Sequence, residues 1–100
     1  MDKIIKNLKE EYDKLSKEVA DPLDNWIKSL KPGKEYNYNH TSYGIKHYFE
    51  SVSMDLFGKP FTVSNDQFKY AMYKNGFEPD NYEDKNWCFM IDEKQKFNWE

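Results

Sequence analysis

The stretch that decides the fold is His40-Thr41-Ser42-Tyr43-Gly44-Ile45-Lys46-His47, followed by Thr62-Val63-Ser64-Asn65 and then by Asn75-Gly76. Each piece reads as a helix boundary. Thr41 or Ser42 offers a side-chain oxygen to the free backbone N–H groups that open a helix over 43–56. Ser64-Asn65-Asp66-Gln67 has the capping-box form, Ser at the cap and Gln three residues on, and opens a helix over 65–75. Gly76 suits the left-handed residue that ends it, and Gly58-Lys59-Pro60 breaks the helix before it. Two short helices therefore follow one another.

Upstream, residues 2–20 place Ile4, Ile5, Leu8, Tyr12, Leu15 and Val19 at helical spacing, which predicts one amphipathic helix. Asp21-Pro22 reads as its boundary, with Asp21 capping and Pro22 in the first position of a second helix over 22–30. Lys31-Pro32-Gly33 turns the chain, and Glu35-Tyr36-Asn37-Tyr38 alternates as a short strand does. Downstream, Phe77-Glu78 and the apolar run 87–91, joined by a polar loop, predict a hairpin. Residues 92–100 read as a short tail anchored by Phe97 or Trp99. The expected class is α+β: a mainly helical, winged helix-turn-helix-like domain with an extra N-terminal amphipathic helix and a C-terminal β-hairpin. It is one domain over 1–100, with the helix at 1–20, the core at 22–91 and the tail at 92–100.

One hundred residues suffice for a single modest core. Aromatics make up 18% of the chain, so that core leans on Tyr, Phe and Trp, and the same aromatics oppose a disordered reading of the 33% charged fraction. No apolar run approaches the roughly 20 residues that cross a bilayer, and the amphipathic N-terminus is unlike a signal peptide. Cys88 is the single cysteine, so no internal disulfide forms; a cytoplasmic setting is expected, with Cys88 a small hydrophobe rather than a nucleophile. The Lys, Asn and Tyr bias fits an AT-rich bacterial or phage genome.

Net charge is −3, unevenly spread: residues 22–77 hold seven Lys against five acids, and residues 78–100 hold seven acids against three Lys. All fifteen basic residues are Lys. Readers of duplex sequence rely on the planar Arg fork, so the lack of arginine argues against a sequence-specific duplex-DNA regulator.

The residues offer little catalytic chemistry. His40 and His47 lack further ligands at metal-site spacing, and Asp80, Glu83 and Asp84 lack the spacing of a calcium loop. With Gly occurring four times there is no glycine-rich phosphate loop. Ser42 near His47 reads as a helix cap rather than a nucleophile. The expectation is a non-enzyme with no metal and no cofactor.

The informative surface is aromatic and basic. On the helical wheel Ile45, Tyr48, Phe49, Val52 and Leu56 share one side of the helix over 43–56, and Tyr43, Lys46, His47, Glu50 and Met54 the other. On the next helix Lys69, Tyr70, Tyr73 and Lys74 point away from Phe68 and Met72. Aromatics interleaved with Lys bind single-stranded nucleic acid, each stacked base contributing about 1–3 kcal/mol. The other reading of the same tyrosines is packing or a protein interface. The acidic stretch 78–84 opposes nucleic acid on its side and suits a basic protein surface.

Lys31-Pro32-Gly33, the run Thr41-Ser42-Tyr43-x-x-Lys46-His47-x-x-Glu50, and Val63-Ser64-Asn65-x-x-Phe68 with Gly76 together resemble small accessory proteins of phages and mobile elements. The resemblance covers about residues 30–90, and extends to the middle protein of the staphylococcal cassette chromosome replication operon, the partner of an A-family DNA polymerase. Asp66 stands where that group often has Gly, and 54–59 looks inserted. The resemblance implies a replication or anti-defence setting, with Tyr43, Lys46, His47 and Asn65 as candidate functional positions. The expected function is a mobile-element accessory protein that binds a replication protein, a DNA polymerase or primase, and contacts single-stranded DNA. The contact set is Tyr43, Lys46, His47, Asn65, Lys69, Tyr70, Tyr73 and Lys74. The alternative is a phage-type inhibitor of a nucleic-acid enzyme, anti-CRISPR-like; a small transcription regulator ranks below both.

Overall fold

The computed structural model describes residues 2–95. The elements are α1 (Asp2–Tyr12), α2 (Lys17–Lys28), β1 (Pro32–Thr41), α3 (Ser42–Phe57), α4 (Asn65–Lys74) and β2 (Cys88–Ile91). The fold is α+β, with four helices and a two-stranded antiparallel sheet among the described residues.

The central helix boundaries fall at the capping residues. Thr41 caps α3 in extended conformation, its hydroxyl accepting from the Gly44 N–H, and Gly58 closes the helix at φ 76°. Ser64 and Gln67 form the full capping box at α4. The α4 C-terminus carries both cap bonds of a Schellman turn: Phe77 N–H donates to the Met72 carbonyl and Gly76 N–H to the Tyr73 carbonyl.

Some expectations need correction or extension. The expected N-terminal helix over 2–20 is two helices, and the break lies at 13–16 rather than at Pro22. The apolar stripe runs on unbroken through the turn, where Leu15 packs against the core from a non-helical position. Pro22 instead sits inside α2 as its sixth residue, where it removes the N–H that would otherwise pair with the Glu18 carbonyl. The strand over 35–38 is the middle of the longer β1, which pairs with β2 in the register Pro32–Ile91, Asn37–Phe89 and Thr41–Cys88. Phe77-Glu78 is not a strand, because the helix cap takes the Phe77 N–H. A single bridge, Pro79 to Phe89, stands where the hairpin was expected. Phe97 and Trp99, the expected tail anchors, lie outside the described residues.

α4 is the element on which α1, α2 and α3 all pack. Phe68, Ala71 and Met72 of α4 meet Leu8 and Tyr12 of α1, Leu23 and Ile27 of α2, and Ile45 and Phe49 of α3 in one core, with Trp87, Phe89 and Ile91 closing it from the sheet side. Leu56, expected inside, is exposed, and the neighbouring buried place belongs to Ser53. The Ser53 hydroxyl donates to the Glu50 carbonyl and accepts from the Phe61 N–H at 2.9 Å, so the segment returning toward α4 covers that side of α3.

Candidate partner-binding surface at the start of helix α3

Ser42 is fully buried, and its hydroxyl joins three parts of the chain. It donates to Asn65 Oδ1 at 2.9 Å and accepts from the Trp87 N–H at 3.0 Å, while the Ser42 N–H donates to the Trp87 carbonyl at 2.7 Å. The Asn65 amide nitrogen reaches the Lys85 carbonyl at 3.0 Å and Asn86 Oδ1 at 3.1 Å. The first residues of α3 and α4 are thus locked to each other and to the entry of β2.

One turn into α3 lies a second cluster. Lys46 is 7% exposed, with its ammonium 3.2 Å from Glu50 Oε1 and 5.5 Å from the Tyr43 ring centroid. His47 Nδ1 lies 3.4 Å from the same carboxylate oxygen. Glu50 Oε2 accepts the Val63 N–H at 2.9 Å. Glu50 thus gathers two side chains of its own helix and the segment that leads into α4. Lys46 therefore does not face outward as the wheel places it: its aliphatic stem is covered and its charge is used inside the fold. Tyr43 does face outward, at 51% exposure, and stands edge-to-face against His47 at 4.3 Å.

Most of the expected outer face of α4 is covered; Lys74 alone of its four residues is exposed. Lys69 is 6% exposed; its ammonium donates to the Asp84 and Lys85 carbonyls at 3.2 and 3.1 Å and sits 4.6 Å over the Trp87 ring. Burial pushes its pKa down, as expected for a cation held by neutral acceptors. Tyr70 packs against Tyr12 of α1 at 5.2 Å and Tyr73 against Tyr82 at 6.2 Å, so both rings are half-buried. Lys74 donates to the Tyr12 hydroxyl at 3.1 Å and to Asp24 Oδ2 at 3.2 Å, and these bonds hold its pKa above the usual range. Asp24 also accepts from Tyr12 at 2.7 Å and from Asn75 at 3.0 Å, tying α1, α2 and the end of α4 together.

Of the eight expected contact residues, the fold brings Tyr43, Lys46 and His47 together and places Asn65 and Lys69 one turn apart on the loop 84–86. Tyr70 and Tyr73 lie against α1 and the loop around Tyr82, while Lys74 stays exposed and is tied to Tyr12 and Asp24. Sequence reasoning missed Glu50 as the organiser of the first group, although its position four residues after Lys46 is a readable ion-pair spacing. It also missed Asp24 and Trp87, for which no local signal exists. Cys88 is half-buried in β2, and burial with the nearby Asp80 and Asp84 carboxylates pushes its thiol up. Among the described residues no group of three His, Cys, Asp or Glu could hold a metal ion, and no helix is long and apolar enough to cross a membrane. No protein-family model, curated protein or solved structure matches the chain at a significant level.

Proposed function

We propose that this protein is a non-enzymatic, cytoplasmic accessory module of a mobile genetic element that docks on a replication protein, a DNA polymerase or primase, through the start of α3. The observation that carries this reading is how the fold uses its cations. Lys46, Lys69 and Lys74 are engaged with Glu50, with loop carbonyls and with Asp24, while Tyr43 and His47 remain exposed as a ring pair. A rigid aromatic pair with neutralised charge beneath it suits a protein interface, where Tyr is an enriched anchor. It suits a phosphate backbone less well, since nucleic-acid affinity rests on cations free to displace counterions.

The winged helix-turn-helix description belongs to the same proposal. It is supported by the element order after α1 and by a sheet that joins the strand before the helix pair to the strand after it. In that architecture the second helix of the pair is the reading helix. Here α1 lies along α4, which disfavours duplex DNA in that groove-reading role.

Photo-crosslinking from position 43 in the native host tests the reading. Recovery of a replication polymerase or primase is expected, and affinity capture of the same protein, without a crosslinker, should be lost in the Tyr43→Ala, His47→Ala double variant. Recovery of a nuclease at that position would transfer the protein to the inhibitor class. Tight, sequence-selective duplex binding would make it a regulator. Single-stranded oligonucleotides are expected to bind weakly and to be released steeply by salt.

A further inference from the structure

β1 and β2 are badly matched in length, ten residues against four. Gly33, Lys34, Glu35 and Tyr36 all lie between two registered pairs that are separated on β2 by Met90 alone. β1 therefore bows, and a groove of about 520 Å³ opens along it, bordered by residues 32–39 and 91–93. Among the described residues its other edge has no strand neighbour. Alternation along β2 buries Phe89 and Ile91 and turns Met90 out. On the same outer side Tyr36 and Tyr38 stand with ring centroids 6.4 Å apart. The Tyr36 hydroxyl reaches across to the Pro79 carbonyl at 3.4 Å. Tyr38 is 67% exposed, and desolvation together with the Asp80 carboxylate holds its phenol above the usual range.

The rim of this aromatic face is acidic. Glu35, Asp92 and Glu93 border the groove and Asp80 stands beside Tyr38, while Lys34 is the single basic residue among the described residues that line it. Among the described residues none of these four carboxylates is in an ion pair. Paired tyrosine faces attract cations through the ring quadrupole, carboxylates add charge complementarity, and a bowed edge strand offers peptide groups to another extended chain. A nucleic acid would find the rings but would be repelled by the rim.

We propose that the outer face of the sheet binds an extended, lysine- or arginine-bearing peptide segment of a partner protein, laid along the bowed part of β1 with a cationic side chain over the Tyr36–Tyr38 pair. The two surfaces share no residue, and this one does not depend on the other.

The test uses a fluorescein-labelled alternating Lys-Val peptide of about nine residues, long enough to span a strand, titrated with the full chain and followed by anisotropy. Saturable binding is expected, weakened by added salt, and at least about tenfold weaker for the matching Glu-Val peptide. Tyr38→Ala, at an exposed position, should weaken it by about 2–5-fold with an unchanged circular dichroism melt. The Tyr43→Ala, His47→Ala variant should bind it like wild type. A backbone N-methylated Lys-Val peptide should bind less tightly. Equal binding of the Lys and Glu peptides, no effect of Tyr38→Ala, no loss on N-methylation, or tighter binding of a thymidine oligonucleotide would each overturn the proposal. So would a dimer in sedimentation that Tyr38→Ala dissolves, which would assign the face to a second copy of the chain.

Discussion

Replacing Ser42 by Ala is the sharpest probe of how this fold is held. The change removes one oxygen from a site with no solvent access and keeps the helix-favouring backbone. Two partners are stranded at once. The Trp87 N–H loses its acceptor at 3.0 Å, and Asn65 Oδ1 loses its donor at 2.9 Å. A buried donor left without a partner costs about 1–3 kcal/mol. The partly exposed Asn65 can recruit water, so its share is smaller, and the sum is about 2–3 kcal/mol. For a domain of this size each kcal/mol moves the melting temperature by about 4–8 °C, so Ser42→Ala should lower it by about 10–20 °C. Thermal melts by circular dichroism, with urea titration for ΔG, read this directly. Asn65→Ala should cost less, and the double variant should fall short of the sum by at least about 0.5 kcal/mol, since the two groups share one bond. A loss below about 3 °C for Ser42→Ala, or strictly additive single variants, would refute the three-way lock.

The other predictions concern separate devices in the same fold. Glu50→Gln should destabilise by about 2–3 kcal/mol, because it leaves the Lys46 cation buried without its counter-charge, and adding Lys46→Met should recover most of that loss in urea titrations. Gly33→Ala should cost about 1–3 kcal/mol, since a Cβ there would lie 2.7 Å from the Asp92 nitrogen and the Ile91 carbonyl carbon. Gly58→Ala should cost about 1 kcal/mol for its φ of 76° alone; Asn should be better tolerated than Ala at position 58, and no better than Ala at position 33. His40 is held below its ordinary pKa by burial. The unfolded chain therefore takes up that proton first, and stability should decline as pH falls through the unfolded value of roughly 6.5. The difference in melting temperature between wild type and His40→Gln across pH 5–8 measures this, and a difference independent of pH would contradict it.

The parts of this fold legible in the sequence are those set by local chemistry. Thr41, Ser64, Gln67 and Gly76 each satisfy or end a helix within a few residues of themselves, so their signals survive without knowledge of the partner. The break between α1 and α2 is invisible for a physical reason: the apolar stripe reports which side faces the core, and Leu15 faces it from a turn as well as from a helix. The pairing of β2 with β1 joins residues about fifty positions apart, which no periodicity encodes. The wheel also fails for Lys46 and Lys69. Assigning lysines to the outer face by their charge is what misleads, since a long aliphatic stem is content inside once its ammonium finds a carboxylate or a pair of carbonyls.

This distinction changes what the central motif means. Ser42, Lys46, Glu50, Val63 and Asn65 belong to the stretches that carry the resemblance to mobile-element proteins, and in the fold they bond to one another or to the entry of β2. Such a pattern specifies how two helices are clasped, and would recur wherever that clasp is needed, whatever the protein binds. Tyr43 and His47 sit within the same run, yet the Tyr43 hydroxyl has no hydrogen-bond partner among the described residues, its ring meets the Lys46 ammonium only at 5.5 Å, and the half-exposed His47 lies 3.4 Å from Glu50. Their removal should therefore leave the melting temperature within about 2 °C of wild type, as is usual for surface positions outside a clasp. A substantially larger loss in the double variant would return both rings to the clasp and leave the motif with no residue free for a partner.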